Sequence, residues 1–307
     1  QGSTHGYDVT DPPAVSEELG GAEGLARLSK AARARGIGLI VDIVPNHVGV
    51  DDPKQNTWWW DVLTHGRDST YASFFDIDWT LDNGRIVLPV LGSDDDIDTQ
   101  RPSRARLLIE SGSLAADPGK AIEGTAYSDV NAMLVDGEVL RLGGLAYPIA
   151  PGTGSGTGRE VHDRQHYRLI GWRSGVCGYR RFFSINSLAG LRQEDRVVFD
   201  ATHVEVKRWV DEGLVDGVRI DHPDGLSDPA GYLTWLREIT GPQAWIVIEK
   251  ILAVDEPLDP SLPVAGTTGY DALREVGGLF IDPAGAQPLT DLVDSTGFDY
   301  DEILQLA

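Results

Sequence analysis

The chain has 307 residues, of which 26 are Lys or Arg and 48 are Asp or Glu, so its formal net charge is −22. A surface this acidic repels phosphate backbones and anionic lipid headgroups, which excludes nucleic-acid binding and attachment to a membrane surface. Hydrophobic residues (41%) and charged residues (24%) occur in globular proportions, and no apolar stretch approaches the roughly 20 residues that span a bilayer. The sequence therefore predicts a folded protein without a membrane segment, and its single cysteine, Cys177, favours the reducing cytoplasm.

The first regular pattern is a helix that leads directly into a buried strand. Apolar residues recur at helical spacing within residues 23–35, and Gly36 supplies a C-terminal stop. Residues 37–44 then form a nearly continuous apolar run rich in β-branched side chains. Such a run is typical of a strand buried on both faces of a parallel sheet.

The same alternation returns twice in the later part of the sequence. A helix with Trp209 on its apolar face precedes a short strand at residues 217–221. Asp228 is then predicted to cap a helix that comes before a strand at residues 245–249. Three strands of one parallel sheet are therefore expected, in an α/β fold that is either a barrel or a doubly wound sheet.

A long stretch rich in Gly, Pro and Asp separates the early unit from the later ones. It far exceeds the length of about 15 residues beyond which structureless loops become uncommon, so it predicts an inserted α+β subdomain. The predicted division is residues 1–45, the inserted subdomain at residues 46–200, and residues 201–307. Short strands are expected inside the insertion at residues 85–91 and 135–140.

Polar residues follow each of the three predicted strands. They are Asn46 and His47, Asp221 and His222, and Glu249 and Lys250. In parallel α/β folds the carboxyl ends of the strands converge on one site. Taken singly, a strand-terminal Asp can cap a helix and a Glu can pair with a basic residue, so these structural alternatives stay open.

An Asp and a Glu on neighbouring strands suit retaining glycoside chemistry. One ionised carboxylate attacks the anomeric carbon, and the other, with a raised pKa, protonates the leaving oxygen. Arg219 lies two residues before Asp221 and therefore on the same strand face. We expect its guanidinium to keep the Asp221 carboxylate ionised, which favours Asp221 as the nucleophile.

Three segments, in this order, resemble signature regions of the α-amylase superfamily: residues 42–47, 217–222 and 249–250. The resemblance implies a (β/α)8 TIM barrel, partial in this chain, with a large α+β insertion after the third strand. It implies that Asp221 is the nucleophile and Glu249 the acid/base. The substrate-binding residues that it implies, including a stacking platform at Tyr7, are Tyr7, Asp8, Asp42, Asn46, His47, Arg219, His222 and Lys250.

Further segments resemble one branch of that superfamily, the maltooligosyltrehalose synthases. These segments are residues 3–8, 75–79, 179–183, 219–226, 249–252 and 266–271. Where ordinary amylases usually carry Lys-His after the nucleophile, this chain has Asp224 and Gly225. The difference disfavours plain starch hydrolysis.

The narrower resemblance implies an intramolecular transglycosylation that converts the reducing-end α-1,4 linkage of a maltooligosaccharide or α-1,4-glucan to α,α-1,1. It implies no cofactor, and a trehalose-releasing hydrolase that acts after this enzyme. We also predict no obligate metal, because the sequence offers no oxygen set of the size that a hard cation needs. An α-glucan hydrolase and a non-catalytic glucan-binding fragment remain the alternatives.

Four other features receive structural interpretations. The tryptophans at residues 58–60 are predicted to pack mainly in the core, since three consecutive residues cannot share one helix face. The glycines of residues 151–158 do not follow a buried strand and lack a following Lys-Ser/Thr, so they do not predict a phosphate loop. His162 and His203 have no metal-ligand spacing and are predicted to lie on the surface.

The fourth signature region of the superfamily, which carries a third carboxylate, is not visible in the sequence, and the chain opens at Gln1 without a methionine. We therefore expect an interior piece of a longer protein. A barrel that lacks strands at both ends would expose sheet edges, and the piece alone is expected to be inactive.

Overall fold

The computed structural model describes residues 3–91, 134–142, 144–295 and 297. The predicted insertion thus includes residues 92–133, which lie outside the described residues, as do residues 298–307 of the last predicted segment. The strands are β1 (Ile40–Ile43), β2 (His47–Gly49), β3 (Ile86–Leu91), β4 (Leu134–Asp136), β5 (Val139–Leu142), β6 (Leu145–Pro148), β7 (Tyr167–Gly171), β8 (Leu188–Gly190), β9 (Gly217–Ile220), β10 (Trp245–Ile248) and β11 (Gly266–Thr267).

Helices flank these strands along the chain. They are α1 (Gly21–Arg33), α2 (Thr57–His65), α3 (Gly158–His162), α4 (Arg196–Thr202), α5 (Val204–Asp211), α6 (Pro229–Thr240), α7 (Tyr270–Gly278) and α8 (Ala286–Asp294). Among the helices of the described residues, none combines the length and the apolar character that crossing a bilayer requires.

A four-stranded parallel sheet, in the order β1-β9-β10-β11, organises the α/β part of the molecule. The predicted α/β class and the three predicted parallel strands are confirmed, and β11 adds a fourth strand that the sequence did not reveal. The register pairs Arg219 of β9 with Asp42 of β1 on one side and with Val247 of β10 on the other. The basic side chain therefore stands beside the acidic one on one sheet face, near the carboxyl ends of the strands.

Local sequence signals set the helix boundaries. The Asp228 carboxylate accepts a hydrogen bond of 2.9 Å from the Gly231 N–H, and Pro229 occupies the first helical turn, as predicted for α6. The early helix, α1, occupies Gly21–Arg33, two residues before its predicted position. Gly36 has a positive φ of 68° and ends this unit, as expected of a glycine stop.

The first strand differs from its prediction. The apolar run predicted a strand buried on both faces, but Ile40 is 44% exposed and the residues of β1 alternate between exposed and half-buried. Within the described residues β1 lies at the end of the four-stranded sheet, where one edge is unpaired and its side chains are only partly covered. In the described part of the chain the sheet is open, and no closed barrel forms.

The inserted region has its own hydrophobic core. Trp59 is 1% exposed, and its ring packs edge-on against Phe75 and Tyr179 at centroid distances of 4.8 Å and 5.2 Å. Trp58 is also buried, so core packing accounts for two of the three consecutive tryptophans. β3 pairs with β7 in parallel, and β4, β5 and β6 form an antiparallel sheet.

One predicted strand of the insertion was wrong. Residues 135–140 do not form a single strand, because they span β4, a turn and the start of β5. Gly137 adopts a φ of 61° in this turn. A positive φ causes little strain only at glycine. Gly137 was therefore a signal in the sequence for a hairpin turn.

The surface assignment of two histidines was also wrong. His162 is fully buried, and its Nε2 accepts the Leu169 N–H at 3.1 Å. His203 is 4% exposed, and its ring bridges the Phe199 carbonyl at 2.9 Å and the Tyr232 hydroxyl at 2.8 Å. Burial lowers the pKa of both rings, to about 4 for His203. Both side chains are therefore neutral members of the core rather than solvated surface residues.

Candidate active site

One guanidinium contacts three carboxylates near the carboxyl edge of the sheet. Nη1 of Arg219 lies 2.7 Å and 2.6 Å from the two carboxylate oxygens of Asp42, and 3.1 Å from Oδ1 of Asp221. Nη2 lies 3.4 Å from Oε1 of Glu249. Because β1, β9 and β10 are adjacent, three strands contribute to this cluster, and both predicted catalytic carboxyl groups meet the same cation.

Asp221 is buried, and its ionisation is balanced between opposing influences. Burial raises the pKa of the Asp221 carboxyl above its usual value, the hydrogen bond from Arg219 lowers it, and the charge of Glu249 raises it further. Arg219 therefore opposes the effect of burial, as expected, but does not outweigh it. Burial lowers the pKa of Arg219, but the hydrogen bonds and charges of Asp42 and Asp221 together raise it above its usual value.

Glu249 is held by a second set of contacts. Its Oε2 accepts the main-chain N–H of His222 at 3.0 Å, and its Oε1 accepts the Tyr270 hydroxyl at 3.3 Å. His222 has a φ of 46°, in the left-handed region that is uncommon outside glycine. The N–H at this turn, immediately after β9, therefore holds a carboxylate that follows β10.

His47 connects the loop after β1 to the segment that carries Tyr7. Its Nε2 donates to the Tyr7 carbonyl at 3.0 Å, and its Nδ1 accepts from Nδ2 of Asn46 at 3.2 Å. A carbonyl only accepts hydrogen bonds, so Nε2 must carry the proton. Burial lowers the pKa of His47 to about 4, which keeps the ring neutral in this tautomer at neutral pH.

Tyr7 and Asp8 lie at the open side of this cluster. The Tyr7 hydroxyl donates to Oδ2 of Asp42 at 2.9 Å, and this hydrogen bond raises the Tyr7 pKa. The ring is partly exposed, as a stacking platform requires. Oδ1 of Asp8 is buried and has no hydrogen-bond partner among the described residues. An acceptor of this kind is suited to a hydroxyl donor supplied from outside the chain.

The inserted region contributes aromatic side chains to the same place. The Phe182 ring lies 4.7 Å from the His47 ring and 4.9 Å from the His222 ring. Phe183 packs edge-on against Phe182 at 4.6 Å and is 74% exposed. An exposed aromatic ring beside polar groups is typical of carbohydrate-facing surfaces, because it offers an apolar face to the C–H side of a sugar.

Lys250 is separate from the carboxylate cluster. Its Nζ lies 3.2 Å from both carboxylate oxygens of Asp224 and 3.4 Å from Oε1 of Glu256. The other predicted residues are linked by hydrogen bonds, ring contacts or sequence adjacency around Arg219 and His47. Within the described ranges, no three His, Cys, Asp or Glu side chains form a group that could hold a metal ion.

Comparisons with known proteins identify the family that this chain resembles. The family described as "Alpha amylase, catalytic domain" matches residues 1–103. A protein of Mycobacterium tuberculosis (strain H37Rv), provisionally named maltooligosyl trehalose synthase, is 65% identical over 302 residues. The match covers 98% of this chain and 35% of that protein. The resemblance to the α-amylase superfamily is confirmed.

Solved structures extend the likeness to the fold. The maltooligosyltrehalose synthase from Arthrobacter ramosus is 48% identical, with a TM-score of 0.84, over 98% of this chain and 36% of that chain. A Sulfolobus tokodaii structure, titled a hypothetical maltooligosyl trehalose synthase, is 33% identical with a TM-score of 0.75, over 96% and 36%. The fold is that of the (β/α)8 α-amylase superfamily, of which this chain forms an open part. It spans about a third of the length of these relatives.

Three residues at this candidate site were not singled out from the sequence. Tyr270, which contacts Glu249, and Phe182, which contacts both histidines, lie inside segments that carried the family resemblance. Arg180 lies in the same segment as Phe182 and donates to Oδ1 of Asn46 at 2.8 Å. The resemblance marked these segments, but only the fold reveals which side chains turn towards the site.

Proposed function

We propose that the protein carrying this chain converts the reducing-end α-1,4 linkage of a maltooligosaccharide to an α,α-1,1 linkage by a retaining double displacement. Asp221 is the nucleophile, Glu249 the acid/base, and Arg219 orients both. The observation that supports this assignment most directly is the contact of one guanidinium with both carboxyl groups, at 3.1 Å and 3.4 Å. The names of the relatives support the choice of reaction.

In the first displacement, a carboxylate oxygen of Asp221 attacks the anomeric carbon of the penultimate glucose. The bond from that carbon to O4 of the terminal glucose breaks, and Glu249 donates its proton to O4. The products are a glycosyl ester on Asp221, a free glucose in the site and an ionised Glu249. The buried position of Asp221 suits a carboxylate whose charge is consumed in forming the ester.

In the second displacement, ionised Glu249 removes the proton from the anomeric hydroxyl of the retained glucose. The resulting oxygen attacks the glycosyl carbon, and Asp221 leaves as a carboxylate. No water enters and no atom is lost, so the product is an isomer of the substrate with a trehalose end. The step needs the glucose to be held close and water to be excluded.

We assign the exclusion of water to the inserted region at residues 46–200, acting as a cover. Phe182 and Phe183 support this role, because they bring exposed aromatic surface from the insertion to His47 and His222. We likewise propose that the chain divides into residues 1–45, the inserted region at residues 46–200, and residues 201–307.

The remaining predicted residues bind sugar in this proposal. Tyr7 offers its partly exposed ring as a platform, and the unpaired buried oxygen of Asp8 accepts a sugar hydroxyl. The side chains that line or support this binding surface are Asp42, Asn46, His47 and His222. Lys250, which pairs with Asp224, is assigned to the rim of the site.

The product fixes the class of reaction that follows. A maltooligosaccharide with a trehalose end is the substrate of a hydrolase that cleaves the adjoining α-1,4 bond and releases trehalose, so we propose such an enzyme as the next step. The single cysteine supports a reducing compartment, and we place the protein in the cytoplasm.

Proton NMR of maltopentaose tests the proposal. It is incubated with the protein over the full length that its relatives have, with the Asp221→Asn variant, and with the 307-residue chain. We expect reducing-end anomeric signals to fade and an α,α-1,1 signal to grow only with the unaltered full-length protein. New reducing ends would instead identify an α-glucan hydrolase, and binding without turnover would identify a glucan-binding protein.

A further inference from the structure

Arg180 contacts two chain segments that adjoin the histidines of the site, one at Asn46 beside His47 and one at Gly225 after His222. Its Nη1 donates to Oδ1 of Asn46 at 2.8 Å and to the Gly225 carbonyl at 3.3 Å. Its Nη2 donates to the Leu191 carbonyl at 2.6 Å, and its Nε to Oδ2 of Asp76 at 3.2 Å. Asn46 follows β1 and Gly225 follows β9, so one guanidinium ties two strand ends to the insertion.

The surrounding backbone is shaped for this guanidinium. A Cβ atom on Gly190 would lie 2.7 Å from Cζ of Arg180, well inside the contact distance that real side chains adopt. Only glycine therefore leaves room for the planar group against β8. The fixed fork of an arginine suits several acceptors in different directions, which a lysine ammonium serves less well.

Arg180 dictates which way the Asn46 amide points. Arginine has donors only, so the amide oxygen of Asn46 must face it and the amide nitrogen must face away. That nitrogen donates to Nδ1 of His47 at 3.2 Å, which leaves Nε2 as the protonated ring nitrogen. Nε2 in turn donates to the Tyr7 carbonyl at 3.0 Å. The four residues form one hydrogen-bond chain with a single consistent direction.

We propose that Arg180 is a positioning residue that, acting through Asn46 at one ring nitrogen while the Tyr7 carbonyl acts at the other, holds the tautomer of His47 and the location of Tyr7 on the substrate side of the site. Its consequence for sugar binding rests on the proposed function, whereas the hydrogen-bond chain does not. Without Arg180, the Asn46 amide is free to reverse and to offer its oxygen to a proton on Nδ1. Nε2 would then face the Tyr7 carbonyl as a second acceptor, and this contact would be lost.

The loss would reach the carboxylate cluster. The Tyr7 hydroxyl donates to Asp42, which is the nearest partner of Arg219. Displacement of Tyr7 removes a binding surface more than a reacting group, so we expect KM for maltopentaose to rise about tenfold in Arg180→Ala, with a smaller change in kcat. A purely structural role would lower the amount of folded protein and leave KM of the folded fraction unchanged.

Solid-state 15N NMR of the full-length protein with ring-labelled histidine reads the tautomer directly. The His47→Gln variant identifies the His47 signals. In the unaltered protein we expect the protonated nitrogen to be Nε2. In Arg180→Ala we expect a mixture or a reversal, and in Arg180→Lys a return towards the original pattern, because an ammonium also donates to the Asn46 oxygen. The control is Arg192→Ala, which removes a cation paired with Glu194 at 3.3 Å and should change neither the signals nor KM.

An unchanged His47 tautomer in folded Arg180→Ala overturns the proposal. If that variant does not fold, Gly190→Ala decides, because it displaces the guanidinium while keeping its charge. It must alter the His47 signals, and if it does not, the proposal fails. The NMR readout needs no turnover. A protein that makes no α,α-1,1 product would therefore contradict the proposed function, whereas the His47 signals would still test this inference.

Discussion

Arg219 is bound more closely by Asp42 than by Asp221. Nη1 lies 2.6 Å and 2.7 Å from the two Asp42 oxygens but 3.1 Å from Asp221. The pairing follows from the register of β1 and β9, which sets Asp42 directly opposite Arg219. Asp42 therefore takes a share of the positive charge that would otherwise stabilise the proposed nucleophile, and its own negative charge raises the Asp221 pKa.

Removing the Asp42 charge should shift the pH dependence of the reaction. In Asp42→Asn, Asp221 loses a negative neighbour and gains a larger share of Arg219, so its pKa should fall. The acid limb of kcat/KM, which reports protonation of the free nucleophile, should then move to lower pH. At neutral pH, misplacement of Arg219 and Tyr7 should lower kcat/KM by about tenfold to a hundredfold.

The measurement is the pH profile of isomer formation by the full-length protein. Asp211→Asn is the matched control, because Asp211 lies on a surface helix and pairs with Lys207. An acid limb that stays in place in Asp42→Asn, or moves equally in the control, would contradict the shared-cation interpretation.

Asp221→Asn should abolish turnover while leaving sugar binding nearly intact. The amide is isosteric and cannot form the glycosyl ester, so kcat should fall by a factor of about 10⁴ or more. Maltopentaose affinity, measured by calorimetry, should change by less than about threefold, because Arg219 keeps its stronger partner in Asp42. A variant that retains more than about one per cent of the activity would rule out Asp221 as the nucleophile.

Gly225→Ala should damage the site through crowding. The added Cβ would lie 2.4 Å from Cδ2 of His222 and 2.7 Å from Oδ1 of Asn46. Overpacking of this kind costs about 1–3 kcal/mol, and here it displaces the side chains of His222, whose main-chain N–H holds Glu249, and of Asn46, whose amide holds His47. We expect a lower Tm and at least about a tenfold loss of kcat/KM. Gly277→Ala is the control, since its Cβ would meet nothing within 4 Å, and it should be neutral or slightly stabilising.

The regular parts of the fold follow from local sequence, and the site follows only in part. The strands β9 and β10, the Asp228 cap and the positions of Asp221 and Glu249 at the ends of these strands were predictable, because each depends on residues adjacent in sequence. The burial of His162 and His203 was not, since the partners that satisfy them, such as Tyr232, are distant along the chain. The role of Arg180 was equally hidden, because its carbonyl and amide acceptors lie up to 134 positions away.

Buried His203 should make stability depend on pH. Its folded pKa of about 4 lies below the usual value of 6.5, so its contribution is complete above pH 6.5 and is lost as the pH falls towards 4. In that range His203 takes up a proton in the unfolded chain but not in the folded protein. The pKa difference corresponds to about 3 kcal/mol in the free energy of unfolding. His203→Gln should lower Tm at pH 7 but show a smaller fall in Tm between pH 6.5 and 4.

Thermal unfolding of the full-length protein and of this variant, compared across that pH range, provides the test. Tyr232→Phe separates burial from hydrogen bonding. It leaves the His203 ring buried but removes the hydroxyl that lies 2.8 Å from its Nε2. We expect it to cost about 1–3 kcal/mol at pH 7. Parallel curves of Tm against pH for His203→Gln and the unaltered protein would contradict the assignment of this pH dependence to His203.

The open sheet has a practical consequence for handling the 307-residue chain. Within the described residues β1 stands at the end of the sheet order, and the connection between α7 and α8 exposes apolar side chains, with Leu279 and Phe280 82% and 86% accessible to solvent. An unpaired strand edge is a template for intermolecular strand addition, and exposed apolar surface elsewhere on the chain favours self-association. Expressed by itself, the chain should bind a hydrophobic dye and self-associate as its concentration rises, and Ile40→Lys should reduce that association.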